Sequence, residues 1–252
     1  MEASAPDTFR LLDWDSAHFG LRIGRVMPAR LDRALLRQAL AWADASSIDC
    51  LYLLADSDDT GTLRAVAVAG WRMVDIRVTL RAELSDVAPS ATCVRLAKAE
   101  DLPYLKQLAM RSHTDSRFYA DGNFPMASCD ELFATWIERS VLDQSFAGAV
   151  FVAQTGTNQP AGYITCSIKE GGGNIGLIAV DEKARRLGLG TQLLLESARW
   201  FAGHGAGRVS VVTQGCNIPA LRMYERSGFR VESIQLWFHW WRESARGGIT
   251  QP

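Results

Sequence analysis

The sequence has no long apolar run, no basic tract and no closely spaced cysteines, and each absence excludes a class of protein. Its longest apolar stretches, such as residues 146–153, are far too short to span a bilayer, so we expect no contact with a membrane. The formal net charge is −1 and the basic residues are scattered, which argues against a nucleic-acid-binding surface. Residues 1–7 lack basic residues and an apolar stretch, so we expect no signal peptide and a cytoplasmic location.

Cysteines are few and far apart. They stand at positions 50, 93, 129, 166 and 216, with no Cys-x-x-Cys pair. An odd, widely spaced set is typical of buried thiols in a reducing compartment, and it favours neither a disulfide framework nor a zinc site. We therefore expect no bound metal.

The length of 252 residues, 48% of them hydrophobic, suits one large domain or two small ones. Hydrophobic periodicity predicts a small β/α domain over residues 1–88. Its predicted elements are an extended hairpin over 9–26, helices over 29–45 and 60–69, and strands over 48–55 and 74–83. A polar, turn-rich linker is predicted over 85–92.

A larger domain is predicted over residues 92–242, followed by a tail over 243–252. Its predicted elements are a helix from about 97–101 to 111, a long loop over 112–125, a helix that Ser128 caps and that ends near 142, strands over 147–155, 161–169 and 174–180, a helix over 189–202, a strand over 209–213, a helix with Pro219 in its first turn, and an extended segment over 229–241. With the segment that begins at Val94 as the first strand, the order is β-α-α-β-β-β-α-β-α-β.

One segment of the larger domain predicts an anion-binding site. An apolar strand runs into Arg185-x-x-Gly188-x-Gly190, and these glycines open an amphipathic helix. Helix starts present unbonded N–H groups backed by the helix dipole, and glycines let a phosphate approach the backbone. Arg185 and Arg186 add positive charge.

Other phosphate-binding motifs fit this segment less well. A Walker A loop needs Gly-Lys-Ser/Thr, which does not follow Gly190. A dinucleotide-binding fingerprint needs a third glycine where Leu193 stands. An ordinary β-turn-α unit, in which the glycines only ease the turn, is the remaining alternative.

This block resembles the acetyl-CoA-binding core of the GNAT acetyltransferase superfamily. The resemblance rests on the Arg-x-x-Gly-x-Gly turn and on a following segment that reads Asn217-IPALRM-Tyr224-ERS-Gly228-Phe229. It implies an α/β (α+β) fold with a central mixed, twisted sheet flanked by helices, and it implies that acetyl-CoA is the cosubstrate. The family turn holds the CoA pyrophosphate, which the resemblance assigns here to Arg185, Arg186, Leu187, Gly188, Leu189, Gly190 and Thr191.

The same resemblance assigns roles around the thioester. The strand residues Leu177, Ile178, Ala179 and Val180 would contact pantetheine and the thioester, with Ile178 and Val180 acting through their main chains. Tyr224 would assist departure of the thiolate as the catalytic acid; the alternative is a packed core tyrosine. Asn217 would contact CoA or the chain that holds it; the alternative is a helix N-cap.

No general base is evident from the residues. His113, Asp115, Asp121 and Glu182 are all possible, and a chain of ordered water could serve instead.

The acceptor would be covered by the loop between the first two helices of the larger domain. It carries Arg117, Phe118 and Tyr119, and an arginine beside two aromatics suits a phosphate next to a ring. The alternative is a loop anchored by its aromatics. Two segments, Asp13-WDSAHFG20 and Ser116-RFYADGNFP125, resemble the bacterial dTDP-4-amino-4,6-dideoxygalactose (dTDP-fucosamine) N-acetyltransferases. This resemblance implies a nucleotide sugar as the acceptor. Gly122-Asn123 departs from that pattern, which leaves the sugar open along with other amines.

The extended segment 235–241 is apolar on both faces. Leu236, Phe238 and Trp240 share one face, and Trp237, His239 and Trp241 share the other. Such a strand is covered on both sides, either by the core or by the second subunit of a homodimer. We expect His239 to be a packed histidine.

Overall fold

The computed structural model describes residues 8–84, 93–156 and 159–243, and these fold into two units. Unit 1 contains the described residues up to 77, residues 116–129 and those from 234 onward. Unit 2 contains residues 78–115 and 130–233, apart from the gaps. The predicted linker over 85–92 and almost all of the predicted tail lie outside the described residues. The predicted division into domains 1–88 and 92–242 therefore stays a prediction.

Unit 1 is built on a sheet with the strand order β1-β2-β3-β10-β4. Its strands are β1 Phe9–Leu11, β2 Ile23–Val26, β3 Cys50–Asp56, the first part of β4 Arg72–Glu83, and the second part of β10 Arg230–Trp241. Its helices are α1 Asp13–Phe19, α2 Arg33–Ala45, α3 Thr60–Val68 and α5 Arg117–Asp121. The predicted helices over 29–45 and 60–69 and the strand over 48–55 are confirmed. Helix α2 starts only at residue 33 because the Asp32 carboxylate caps it, accepting the Leu35 N–H at 2.7 Å.

Two predictions in unit 1 are wrong. The segment 9–26 is not a simple hairpin, because α1 lies between β1 and β2; Asp13 and Asp15 favour its N-terminal end, and Gly20, at φ +65°, ends it. The predicted loop over 112–125 contains the five-residue helix α5, which ends at Gly122 with φ +77°.

The two faces of the unit 1 sheet differ in character. On one face, Leu51, Leu53 and Phe238 pack with α2 and α3 into a hydrophobic core. On the other face, Tyr52 stacks on His239 with ring centroids 4.4 Å apart, and Phe124 contacts Trp241. The strand 235–241 is thus covered on both faces by residues of its own unit, as predicted, so it supplies no argument for a homodimer.

Unit 2 is a mixed sheet with the strand order β4-β9-β8-β7-β6-β5, flanked by helices. Its strands are β5 Val94–Leu96, β6 Ala149–Gln154, β7 Pro160–Lys169, β8 Gly172–Val180 and β9 Arg208–Gln214, with the second part of β4. Its helices are α4 Leu102–Ser112, most of α6 Met126–Leu142, α7 Leu189–Gly203 and α8 Ile218–Arg226. The prediction that Ser128 caps α6 is wrong, since that helix already begins at Met126.

The core of unit 2 lies between the sheet and α7. Leu193 and Phe201 are fully buried there, as the helical pattern predicts. Burial of a leucine or phenylalanine side chain contributes roughly 1.5–3 kcal/mol. This packing fixes α7 on the sheet and so fixes the turn at its N-terminal end.

None of the five cysteines forms a disulfide. Three are buried, but Cys93 is half-buried and Cys216 is exposed, so the prediction of buried thiols holds only in part. Across residues 8–84, 93–156 and 159–243, no helix has the length and apolar character needed to cross a membrane.

Candidate active site

The turn that precedes α7 is anchored at its first residue, Asp181. Its carboxylate accepts hydrogen bonds from the Tyr104 hydroxyl at 2.6 Å, the Arg111 guanidinium at 2.5 Å and the Lys183 N–H at 3.0 Å. The hydrogen bond from Tyr104 contributes most to holding the pKa of Asp181 below its usual value. Burial, followed by the bond to Asp181, raises the pKa of Tyr104 to about 12. Two residues of α4 therefore tie the turn to that helix.

The turn itself has an unusual backbone. Arg186 has φ +67° and Gly188, at the N-cap position of α7, has φ +78°. The left-handed conformation costs a non-glycine residue about 1–2 kcal/mol, so Arg186 is held under strain. Gly188 supplies no side-chain cap, and the N–H groups at the start of α7 are left for another acceptor. Arg185, Arg186, Leu187 and Gly188 are exposed around them.

Gly190 has a packing role in addition to the predicted one. A Cβ atom at this position would lie 2.6 Å from the Met223 sulfur of α8. The absence of a side chain therefore lets α8 approach the first turn of α7. Leu189 is buried beside it, while Thr191 is exposed.

Strand β8 contains a bulge near its middle. The register with β7 shifts between Ile164 and Cys166, and the Thr165 hydroxyl accepts the Leu177 N–H at 2.8 Å. A Cβ on Gly176 would lie 2.8 Å from that hydroxyl oxygen, so the position requires glycine. A bulge bends its strand and increases the local twist.

Strands β8 and β9 separate at this bulge. Their parallel register covers Gly173 to Ile175 opposite Val209 to Val211, although β8 continues to Val180 and β9 to Gln214. The Asp181 N–H bonds to the Ala161 carbonyl on the β7 side at 2.8 Å. Main-chain polar groups alternate in direction along a strand, so those of Ile178 and Val180 point away from β7, toward the gap. Leu177 is half-buried and Ala179 is buried.

Tyr224 lies on α8 and is 2% exposed. Its ring centroid is 5.5 Å from that of Phe229, and both residues belong to the hydrophobic cluster against which Ile178 and Val180 pack. Burial raises the pKa of the phenol far above its usual range. The hydroxyl therefore stays protonated at neutral pH and can donate a hydrogen bond.

Asn217 caps α8, because its side-chain oxygen accepts the Ala220 N–H at 3.1 Å. Its side chain also bonds to the carboxylate of Asp115, which follows α4. Burial raises the pKa of Asp115, and the bond to Asn217 opposes that shift. The loop after α4 is thus linked to the helix that carries Tyr224.

The other base candidates differ from Asp115. The ring of His113 stacks on Phe133, and its Nε2 lies 2.8 Å from the Tyr163 hydroxyl. Burial lowers the pKa of His113 to about 4, so the ring is a weak base. Glu182 is exposed beside the turn.

The fourth base candidate, Asp121, belongs to unit 1. It is fully buried and accepts hydrogen bonds from His239, from the Trp241 indole at 2.9 Å and from the Asn123 amide at 2.7 Å. Burial alone would raise the pKa of Asp121. These hydrogen bonds lower it instead, and the bond from His239 contributes most. Asp121 is a structural carboxylate.

The predicted acceptor residues also lie in unit 1. The Arg117 guanidinium lies 4.1–4.3 Å from the ring centroids of Tyr52, Phe118 and Trp237. It donates to Nε2 of His239 at 3.0 Å, which fixes the proton of that histidine on Nδ1, facing Asp121. Phe118 is buried against Phe19, so it packs the unit as the alternative interpretation has it, and Tyr119 is half-buried.

Three features of the site were not predicted. Thr165 and Gly176 form the bulge, and Asp181 anchors the turn. Gly176 is a single glycine inside an otherwise apolar strand, and such a glycine often marks a bulge, so this residue could have served as a signal. The bonds from Tyr104 and Arg111 to Asp181 join residues 70 or more positions apart, and no local pattern reports them.

In unit 2, the described residues thus place an anion-accepting helix start, a gap between two parallel strands and a buried tyrosine in a single β8-α7-β9-α8 arrangement. The sequence profile of the Acetyltransferase (GNAT) family matches residues 106–229. The chain is 29% identical over 230 residues to the dTDP-fucosamine acetyltransferase of Escherichia coli, covering 90% of this chain and 96% of that protein.

Solved structures share the fold. A GCN5-related N-acetyltransferase from Sphaerobacter thermophilus superposes with a TM-score of 0.64 at 15% identity, over 96% of this chain and 78% of that one. A conserved protein of unknown function from Staphylococcus epidermidis gives a TM-score of 0.65 at 13% identity, over 93% and 92% of the two chains. The predicted mixed-sheet GNAT fold is confirmed. Residues 106–229 are therefore an acetyltransferase domain of the GNAT family.

Proposed function

We propose that this chain transfers the acetyl group of acetyl-CoA to the 4-amino group of a dTDP-4-amino-4,6-dideoxy sugar. Acetyltransferases of the family use acetyl-CoA. The observation that carries the coenzyme half of the proposal is the anchored turn with its open helix start at Gly188. The acceptor half is supported by the relative from E. coli, whose name specifies dTDP-fucosamine.

The diphosphate of the coenzyme would bind at the start of α7. The N–H groups of Leu189, Gly190 and Thr191 are donors backed by the helix dipole. The exposed side chains of Arg185 and Arg186 supply positive charge, and Leu187 and Gly188 complete the turn. Because Asp181 holds the turn in place, little order has to be gained on binding.

The acetyl end would lie in the gap between β8 and β9. The main-chain groups of Ile178 and Val180 would bond to pantetheine and to the thioester oxygen, whose negative charge grows as the amine attacks. Leu177 and Ala179 alternate with them along the strand, and the Leu177 N–H is already bonded to Thr165 on the β7 side. The bulge at Gly176 supports this role because it turns β8 away from β9.

Tyr224 would assist departure of the thiolate. A thiol has a pKa of about 8.5 and a phenol about 10, so full proton transfer costs about 2 kcal/mol before burial of Tyr224 is considered. Burial makes that transfer still less favourable. A hydrogen bond from the phenol to the developing thiolate is the form of assistance that these pKa values favour.

Asp115 is the base that we propose for the amine. It is half-buried, burial raises its pKa above the usual value of an aspartate, and it bonds through Asn217 to the helix of Tyr224. A general base works best when its pKa lies near the working pH. His113 and Asp121 are held in other bonds, as described above.

The deciding experiment measures thiol release from acetyl-CoA with a panel of amines that includes dTDP-4-amino-4,6-dideoxygalactose. We expect this sugar nucleotide to give the highest kcat/KM, and dTDP to compete with it but not with acetyl-CoA. Faster turnover of an amino acid, polyamine or antibiotic would replace the acceptor and retain the coenzyme site. Tight CoA binding without turnover of any amine would reduce the chain to a coenzyme sensor. We propose a cytoplasmic location, where both substrates would be available.

A further inference from the structure

Unit 1 holds a cluster of arginines on one face of its sheet. Arg25 on β2 lies opposite Tyr52 on β3 in the strand register, and its guanidinium lies 5.2 Å from the Trp237 ring centroid. Arg117 lies over the same Trp237 ring, and Arg77 donates to the Gln235 side-chain oxygen at 2.9 Å. We call these five residues, Arg25, Tyr52, Arg77, Arg117 and Trp237, the arginine face.

Positive charge exceeds negative charge on this face. Arg10, Arg77 and Arg117 all act on Arg25 with like charge, and Asp15 is the carboxylate that opposes them. Asp121 does not pair with these arginines directly, because its carboxylate bonds to His239, which lies between it and Arg117. Like charges gathered at a half-buried surface repel one another unless an anion joins them.

Two polar groups on the arginine face also lack a well-placed partner. The Nε of Arg25 is buried and has no hydrogen-bond partner within the described part of the chain. The hydroxyl of Tyr52 is also buried; it meets no partner in good hydrogen-bond geometry there, although the Arg117 guanidinium is close enough to oppose the rise in its pKa. Tyr52 is 0% exposed. Buried polar groups without partners are rare in folded proteins, and a missing ligand is one explanation for them. The half-buried Arg25 guanidinium is suited to donate to an anionic oxygen.

We propose that the arginine face binds the diphosphate of the acceptor nucleotide. The inference rests on the proposed function for the class of anion, a nucleoside diphosphate. Guanidinium groups bind phosphate oxygens through paired N–H donors, which a single lysine or hydroxyl cannot match. Arg25 and the N–H groups of Arg77 that do not bond to Gln235 supply the donors, while Arg117 is positioned by its bond to His239 and by three aromatic rings.

The test measures binding of dTDP and of thymidine by calorimetry, with no acetyl-CoA present. The variants are Arg25→Gln and Arg77→Gln, with Arg64→Gln on the exposed surface of α3 as the matched control. We expect dTDP affinity to fall at least tenfold in each of the first two variants and to be unchanged in the control. Thymidine, which has no phosphate, should bind with equal weakness to all four proteins.

Stability distinguishes a binding role from a structural one. Because Arg25 carries an unpartnered buried donor, the unfolding temperature of Arg25→Gln without ligand should be no lower than that of the wild type. Should Arg25→Gln fail to fold, Arg25→Lys keeps the charge without the paired donors and should still lose dTDP affinity.

The outcomes separate the two proposals. Wild-type dTDP affinity in both Arg25→Gln and Arg77→Gln would overturn the arginine face while leaving acetylation of the sugar nucleotide untouched. A wild-type protein that acetylates some other amine and does not bind dTDP would overturn the proposed acceptor, and the arginine face with it.

Discussion

The hydroxyl oxygen of Thr165 on β7 accepts a hydrogen bond from the N–H of Leu177 on β8 at 2.8 Å, where the register between the two strands shifts. This one contact satisfies the extra donor that a bulge creates. It also stands at the point where β8 parts from β9.

Replacement of Thr165 by valine should therefore destabilise unit 2. Valine keeps the shape of threonine without its hydroxyl, so the N–H of the half-buried Leu177 loses its partner, which costs about 1–3 kcal/mol in the free energy of unfolding. Chemical denaturation measures this change. Thr165→Ser keeps the hydroxyl but loses the methyl group, and it should retain most of the stability. A loss in Thr165→Ser with none in Thr165→Val would show that the methyl group, and not the hydrogen bond, matters.

Charge placed in the turn should disrupt coenzyme binding. Gly188→Glu and Gly188→Gln impose the same backbone strain at φ +78°, and no heavy atom lies within 4 Å of an added Cβ. The two side chains differ in charge alone, so the Glu variant should bind acetyl-CoA at least tenfold more weakly than the Gln variant. Titration calorimetry gives both affinities. If the two are equal, the helix start does not hold the diphosphate.

Removal of the Tyr224 hydroxyl should affect the chemical step. Tyr224→Phe keeps the ring that packs near Phe229, so the fold and the acetyl-CoA affinity should change little. The turnover number should fall at least tenfold, because the thiolate loses its donor. Steady-state kinetics with acetyl-CoA and the amine measure the turnover number, and thermal unfolding controls for the fold. A normal turnover number would show that the hydroxyl has only a structural role.

Asp115→Asn should alter the pH profile of the reaction. If Asp115 is the base, kcat/KM falls on the acidic side as its carboxylate becomes protonated, and burial moves this fall to higher pH. The amide in the variant cannot take a proton, so this fall should vanish. We expect a large loss of activity at neutral pH, with acetyl-CoA affinity retained. An unchanged profile would transfer the role to water.

Stability should decline in mild acid because of His239. Burial lowers the pKa of His239 from 6.5 to about 4, although the bond to Asp121 opposes that shift. Between these values the unfolded chain takes up a proton that the folded chain does not, so stability is present above pH 6.5 and is lost as pH falls toward 4. The loss is on the order of 3 kcal/mol.

The stability experiment compares unfolding temperatures from pH 7.5 to 4.5 in the wild type and in His239→Gln. The variant should show a shallower decline, and the remainder should reflect His113, whose pKa is also lowered to about 4. His204→Gln, at an exposed position, is the control and should leave the slope as it was. A slope that is identical in all three proteins contradicts the assignment.

Local signals predicted most of the helices and strands. Gly188 and Pro219 marked helix starts because their backbone preferences act over one or two residues. The short helices α1 and α5 escaped prediction because seven and five residues are too few for a helical period to show. The strand pattern of 235–241 predicted two covered faces but did not reveal which residues cover them.

The candidate site divides in the same way. The turn, the strand and Tyr224 were identified through a local motif and a family resemblance. The anchor of Asp181 to Arg111, the bond of Asp115 to Asn217 and the meeting of Arg25 with Trp237 join distant positions. Tertiary packing creates these contacts, and a single sequence carries no local record of them.

Strand β10 has a consequence for how the protein can be shortened. Its second part, from Gln235 to Trp241, pairs in register with β3, from Asp56 to Cys50. A truncated chain that begins at residue 92 would keep this tryptophan-rich strand and lose the strand that it bonds to. The unpaired N–H and C=O groups at this edge would pair with strands of other copies of the fragment. Such a fragment should therefore aggregate on expression even though it spans the whole family domain.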